Sequence, residues 1–194
     1  MTSLIGLSGS LRRDSFNSSL LRAARSALPD GVDLKIESIA AFPLYNFDDE
    51  KAHGIPVPVA ALKDALAGAD GFLLCTPEYN NSIPGVLKNA IDWLSRPAAD
   101  IPRVFGDLPV AIMGTSPGAF GTTLAQNAWL PVLRTLGARL WTGGRFALPA
   151  ASRVFDEDGR LNDAAAQERL EKFVRGFVGF VRETRGSIHA TESK

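Results

Sequence analysis

Short apolar runs of strand length alternate along the chain with stretches whose apolar residues recur at helical spacing. That alternation builds parallel sheets with helices on both faces. Ser3 to Ser8, Asp33 to Ile39, Gly71 to Thr76, Val110 to Gly114 and Arg139 to Phe146 have strand length. The first, third and fourth are nearly continuous in Leu, Ile, Val and Phe, and unbroken apolar strands are buried on both sides. Between them, Ser18 to Leu28 aligns Leu20, Leu21, Ala24 and Leu28 on one face and stops at Pro29-Asp30-Gly31, a helix closed by turn chemistry. Val57 to Ala67 reads as a second helix. A third starts with Pro84 in its first turn, turns Leu87, Ala90, Ile91 and Leu94 inward, and ends before Pro97. Gly121 to Leu136 is a fourth, in which Pro131 predicts a kink or a split. Asp163 to Arg185 is the last, capped by Asn162 and striped with Leu170, Phe173, Val174, Phe177 and Val181. Five strands and five helices in alternation predict a doubly wound α/β sandwich with strand order 2-1-3-4-5. Residues 1–185 are expected to form a single domain. Ala40 to Pro58 is expected to be a long loop and the polar tail 186–194 to be frayed.

Ligands of such sheets bind at the carboxyl ends of the strands, where the strand order reverses. The loops after the first, third and fourth strands are therefore the candidates. The first, Gly9 to Ser18, leads directly into a helix and carries Ser10, Ser15 and Ser18, the amide of Asn17 and the guanidinium groups of Arg12 and Arg13. A helix N-terminus with such neighbours suits a phosphate. The loop has neither G-x-x-x-x-G-K-[ST] nor G-x-G-x-x-G, so a terminal monophosphate fits better than a nucleoside triphosphate or a dinucleotide pyrophosphate. Helix capping alone is the simpler reading of any one of these side chains. Asp14 must then point away. Replacing Asn17 and Ser15 by Ala is expected to weaken phosphate binding and leave the fold intact.

After the third strand, Thr76-Pro77-Glu78-Tyr79-Asn80-Asn81-Ser82-Ile83-Pro84-Gly85 combines two prolines, an aromatic ring and amides able to read the edge of a flat heterocycle. After the fourth, Gly114 to Gly121 is small enough to let a ring lie against backbone. It also contains Gly114-Thr115-Ser116-Pro117-Gly118, a formal nucleophile elbow. The oxyanion donor of an elbow is the N–H of the residue after the serine, and Pro117 has none. A serine hydrolase is accordingly disfavoured. Cys75 lies in an apolar strand and reads as an inert buried thiol. His53 and His189 are too few for a metal site. Trp93, Trp129 and Trp141 read as core or subunit contact.

The 194 residues carry 21 Lys plus Arg against 21 Asp plus Glu, and this balance removes polyanions and anionic membranes as partners. No apolar run approaches the roughly 20 residues of a spanning helix. The single cysteine, and a start at Met1 to Gly9 without charged or apolar leader regions, point to a cytoplasmic protein.

Taken together the loops resemble the NAD(P)H-dependent FMN reductases, a flavodoxin-like group that includes chromate, quinone and azo-dye reductases. The resemblance rests on Gly9-Ser10-Leu11-Arg12 with Ser15-Phe16-Asn17 and on Pro77-Glu78-Tyr79-Asn80 with Ser82-Ile83-Pro84-Gly85. It extends to Leu87-Lys88-Asn89-Ala90-Ile91-Asp92-Trp93, to Ser116-Pro117-Gly118 and to Pro43-Leu44-Tyr45-Asn46. It implies an FMN phosphate held by Ser10, Arg12, Ser15, the Phe16 amide, Asn17 and Ser18. The isoalloxazine and ribityl chain would then be flanked by Pro77, Glu78, Tyr79, Asn80, Ser82, Ser116 and Gly118. Family members often have two glycines after this serine; here Ala119-Phe120-Gly121 follows Gly118. The implied chemistry is hydride transfer from NAD(P)H to FMN, then two electrons to a small acceptor in a ping-pong cycle, with no catalytic side chain. Backbone N–H groups of Tyr79 to Ser82 would face the ring where charge appears. Homodimers or homotetramers with sites at the subunit boundary are implied too. A flavodoxin-like electron carrier is the alternative, and the balanced charge argues against it, because such carriers are acidic.

Overall fold

The structure is a computed structural model that describes residues 1–192, with side chains through Arg185. Its strands are β1 (Thr2–Ser8), β2 (Val32–Glu37), β3 (Gly71–Cys75), β4 (Pro109–Thr115), β5 (Arg139–Leu140) and β6 (Phe146–Leu148). The helices are α1 (Phe16–Ser26), α2 (Phe47–His53), α3 (Val57–Ala67), α4 (Gly85–Leu94), α5 (Ile101–Phe105), α6 (Thr123–Thr135), α7 (Ala151–Val154) and α8 (Ala164–Glu192). All strand pairs are parallel and the order is β2-β1-β3-β4-β5, with β6 also on β4. This is the flavodoxin-like order that the hydrophobic pattern predicts.

The continuous apolar strands divide their side chains between two cores. Leu4, Leu73, Cys75, Ala111 and Met113 face α1 and α8, while Ile5, Leu7, Phe72, Leu74 and Val110 face α3, α4 and α6. Burial on both faces fixes the register, since a slip of one residue would exchange the two sets. Trp93 and Trp129 are buried within the chain itself, at 1% and 0% exposure. Neither indole is therefore available for contact with another subunit.

Several expectations are corrected. The single strand over Arg139 to Phe146 is two short ones, because the Trp141 ring turns inward against Phe173 and Phe177 and the chain bulges around it through Gly143 and Gly144. The loop Ala40 to Pro58 contains α2. The Asn46 side chain accepts from the Asp48 N–H, Asp48, Asp49 and Glu50 occupy the first turn, and Gly54 closes the helix at φ 76°. The short helices α5 and α7 were also not anticipated. Pro131 does not split α6, which runs unbroken from Thr123 to Thr135 with Pro131 at an exposed position. Helix α1 begins at Phe16, ahead of Ser18, because Ser15 caps it. Pro84 is the N-cap of α4 rather than part of its first turn. At α8 the cap is Asp163, whose carboxylate accepts from the Ala166 N–H, and not Asn162. The backbone of α8 runs on to Glu192, and the expected frayed tail falls on positions whose side chains, with residues 193–194, lie outside the described ones.

Close backbone approach at the carboxyl edge depends on glycine. A Cβ on Gly114 would stand 2.0 Å from Thr122 Oγ1 and 2.2 Å from the Thr76 carbonyl oxygen. Gly114→Ala is expected to lower unfolding free energy by about 2–3 kcal/mol, measured by urea denaturation; an unchanged midpoint would contradict this packing.

Candidate functional site

The three loops meet at the carboxyl ends of β1, β3 and β4. In the first, Ser15 caps α1 by accepting from the Ser18 N–H at 3.4 Å. The Phe16 and Asn17 N–H groups occupy the first turn, where helix geometry provides no partner. No acidic residue stands in that turn, and Asp14 is exposed as required. Ser18 Oγ donates to Ser8 Oγ at 3.1 Å, and Ser10 Oγ accepts from the Arg12 N–H at 3.4 Å. The Arg12 guanidinium lies 5.3 Å from the centre of the Phe16 ring, which itself stacks on Phe155. Backbone donors, hydroxyls and a cation with no competing carboxylate in the turn form a surface that fits a phosphate dianion.

Asn17 does something that sequence reasoning missed. Its Nδ2 donates to the Thr115 carbonyl at 3.0 Å and its Oδ1 accepts from the Thr115 N–H at 3.0 Å, so the amide pairs with β4 as a strand would. The Cys75 thiol donates to the Asn17 carbonyl at 3.3 Å and approaches Oδ1 at 3.4 Å. Burial raises the Cys75 pKa, which keeps the thiol protonated for this contact. One buried side chain thus joins the start of α1 to the ends of β3 and β4. On this geometry the joint replacement of Asn17 and Ser15 by Ala does not leave the fold intact, contrary to the sequence expectation.

The third-strand loop closes on itself. Tyr79 and Ser82 exchange both backbone hydrogen bonds, and Asn80 and Asn81 between them adopt φ 50° and 60°, the two positive values of a type I′ turn. Two of the four N–H groups expected to face a ring are consumed in this way, and those of Asn80 and Asn81 remain. Glu78 Oε2 accepts from the Leu124 and Ala125 N–H groups at the start of α6. Thr76 Oγ1 accepts from Trp129 Nε1 at 3.0 Å and donates to the Pro77 carbonyl. Pro77 is buried against Gly9, where a Cβ would come within 2.8 Å of its ring.

In the fourth-strand loop Ser116 Oγ donates to the Gly121 carbonyl at 2.6 Å, and the backbone at 116 and 118 is held by Leu148, Ala150 and Ala151. Ser116 fastens this loop through that bond. Gly118 is exposed beside it.

The Pro43-Leu44-Tyr45-Asn46 segment is held on α4. The Asn89 and Trp93 side chains both donate to the Pro43 carbonyl at 2.9 Å, and Asn89 Oδ1 accepts from the Tyr45 N–H. Glu50 accepts from Tyr45 OH and Arg96 Nε, and the Arg96 bond above all keeps its carboxyl below the usual range. This explains why two distant motifs occur together: Asn89 and Trp93 are the grip and residues 43–45 are what they hold.

Asn17→Ala is expected to remove about 2–3 kcal/mol of stability, because it leaves the buried Thr115 N–H and carbonyl unpaired. Urea unfolding of flavin-free protein measures it, and a loss below about 0.5 kcal/mol would contradict the latch.

A family model described as NADPH-dependent FMN reductase matches residues 2–153. An NAD(P)H-dependent FMN reductase of Pseudomonas aeruginosa is 39% identical over 183 residues, 94% of this chain and 97% of the relative. A 2-hydroxy-1,4-benzoquinone reductase of Burkholderia is 38% identical over 177 residues, covering 91% and 94%. Among solved structures, FerB, a flavoenzyme NAD(P)H:(acceptor) oxidoreductase from Paracoccus denitrificans, superposes with a TM-score of 0.85 at 32% identity, covering 95% of this chain and 99% of that one. A loop edge shaped for a phosphate and a flat ring, on a flavodoxin-like sheet matched over its whole length, places this oxidoreductase in the NADPH-dependent FMN reductase family, with FMN as cofactor and NAD(P)H as co-substrate.

Proposed function

We propose that residues 1–185 form one FMN-binding domain that passes two electrons from NAD(P)H to small acceptors, with quinones foremost and azo dyes, chromate and free flavins as further candidates. The observation that carries this is the convergence of a first-turn phosphate surface on α1 with two rigid loops on the same sheet edge. The Phe16 and Asn17 amides, Ser10, Arg12, Ser15 and Ser18 bind and orient the phosphate. The Asn80 and Asn81 N–H groups stand where negative charge on a flat ring would need donors. Pro77 and Glu78 hold Tyr79 and Ser82 in place on one side, and Ser116 and Gly118 present backbone on the other. When bound, FMN supplies the electron relay, and the side chains need only position it and its two substrates.

The relatives are named for FMN and quinone reduction, which supports the acceptor class. Donor and acceptor share one open face in turn, since the chain has no second nucleotide motif. The rim of that face carries exposed apolar side chains, with Leu11 at 50%, Tyr79 at 47% and Phe120 at 82% exposure. A homodimer or homotetramer that covers this rim, with sites at its subunit boundary, accounts for them, and light scattering on the purified protein reads its mass. Among the described residues no helix is long and apolar enough to cross a membrane. The buried, unpaired Cys75 suits a cytoplasmic setting.

Steady-state oxidation of NADH and NADPH at several fixed quinone concentrations tests the cycle. Parallel double-reciprocal lines are expected. Intersecting lines would contradict alternation at one face, and absence of nicotinamide oxidation would leave only electron carriage.

A further inference from the structure

Resting on the flavin reading above, we infer that Glu78 is a positioning residue: it acts through the N-terminus of α6 to fix the Tyr79 hairpin against the fourth-strand loop, and does not itself hold the ligand. Helix α6 lacks a cap of its own. Its N-cap residue, Thr122, makes no capping bond; Thr122 Oγ1 instead accepts from Gln126 Nε2 at 3.1 Å and packs on Gly114. No acidic residue stands in the first turn. The Leu124 and Ala125 N–H groups would be orphaned, as first-turn donors are. Glu78, 46 residues earlier in sequence, supplies what is missing, with Oε2 at 2.8 Å from Leu124 N and 3.0 Å from Ala125 N. A carboxylate against the positive end of a helix is also the charge arrangement that the dipole favours.

The same helix holds the same loop a second time, through Trp129 Nε1 on Thr76 Oγ1 at 3.0 Å. The two anchors stand on either side of Pro77, so the chain from 76 to 78 cannot pivot, and the hairpin that begins at Tyr79 leaves it in a fixed direction. On its other side α6 is entered through Gly121, whose carbonyl receives the Ser116 hydroxyl at 2.6 Å. Glu78 therefore couples the two walls of the proposed ring slot: a loosened cap changes the spacing between the Asn80 and Asn81 donors and the backbone at Ser116 to Gly118. With Oε2 on both helix donors, the carboxylate is committed to α6 by one oxygen through two bonds.

The test compares the parent protein with Glu78→Ala and Glu78→Gln. FMN affinity is read from quenching of flavin fluorescence, and amide exchange at Leu124 and Ala125 is read on the flavin-free samples. Glu78→Ala is expected to weaken FMN binding about fivefold to tenfold, the loss of one helix cap, and to accelerate exchange at the two amides. Glu78→Gln, whose carbonyl can still cap, is expected to keep affinity within about threefold. If the alanine variant does not fold, Glu78→Met, of similar length but with no oxygen acceptor, is read in the same way. Unchanged FMN affinity in Glu78→Ala overturns the inference and leaves the flavin reading standing. An equal loss in Glu78→Gln with unchanged exchange at Leu124 and Ala125 also overturns it, since the cap would be intact and the charge itself would then be meeting the ligand. A parent protein that binds no FMN refutes the flavin reading and this inference with it.

Discussion

The site depends on a two-bond contact between the Asn17 side-chain amide and the Thr115 backbone. Parallel strands end side by side, yet nothing in a ladder of backbone bonds carries on past their carboxyl ends, where the chain must open into loops. Asn17 extends the pairing by one side chain. It brings the N-terminus of α1 to the end of β4 while the Cys75 thiol at the end of β3 donates to its carbonyl. All three partners are buried, so a missed bond would leave desolvated polar groups. The first-turn amides of α1 are thereby held at a fixed height above the sheet.

The remaining loop contacts follow the same logic of polar groups tied across elements. Glu78 and Thr76 hang the third-strand loop on α6, Ser116 ties the entry of α6 to the fourth-strand loop, and Asn89 with Trp93 fastens residues 43–45 to α4. Four of the side chains singled out as ligand-binding candidates, Asn17, Ser18, Glu78 and Ser116, carry such structural bonds. Toward solvent they leave the first-turn amides of α1 and those of Asn80 and Asn81, with the Arg12, Tyr79, Asn80 and Ser82 side chains exposed beside them. A surface of fixed N–H dipoles suits a cofactor that does its own chemistry and needs orientation and positive potential more than acids or bases.

The strand order and the sheet's two buried faces were legible because apolar continuity over Leu4 to Leu7, Phe72 to Cys75 and Val110 to Met113 admits little else. The three loops were legible from their place after those strands. What was hidden depends on where side chains point. Asn17, read alone, is a polar residue at a helix start, and its partner Thr115 is 98 positions away. Glu78 looks like a loop carboxylate until α6 is seen to lack a cap. Trp141 breaks an apparently continuous strand because its ring finds Phe173 and Phe177 on α8. Helix α2, by contrast, carries helix signals in Asn46, three acids and Gly54, but the prolines around it give the segment the composition of a loop.

The account stands on a phosphate at the start of α1. Calorimetric titration of the flavin-free protein with FMN and with riboflavin, which lacks only that phosphate, tests it most directly. FMN is expected to bind about tenfold to a hundredfold tighter, the range for charge-assisted hydrogen bonds to one anionic group. Equal affinity for the two flavins would contradict the account.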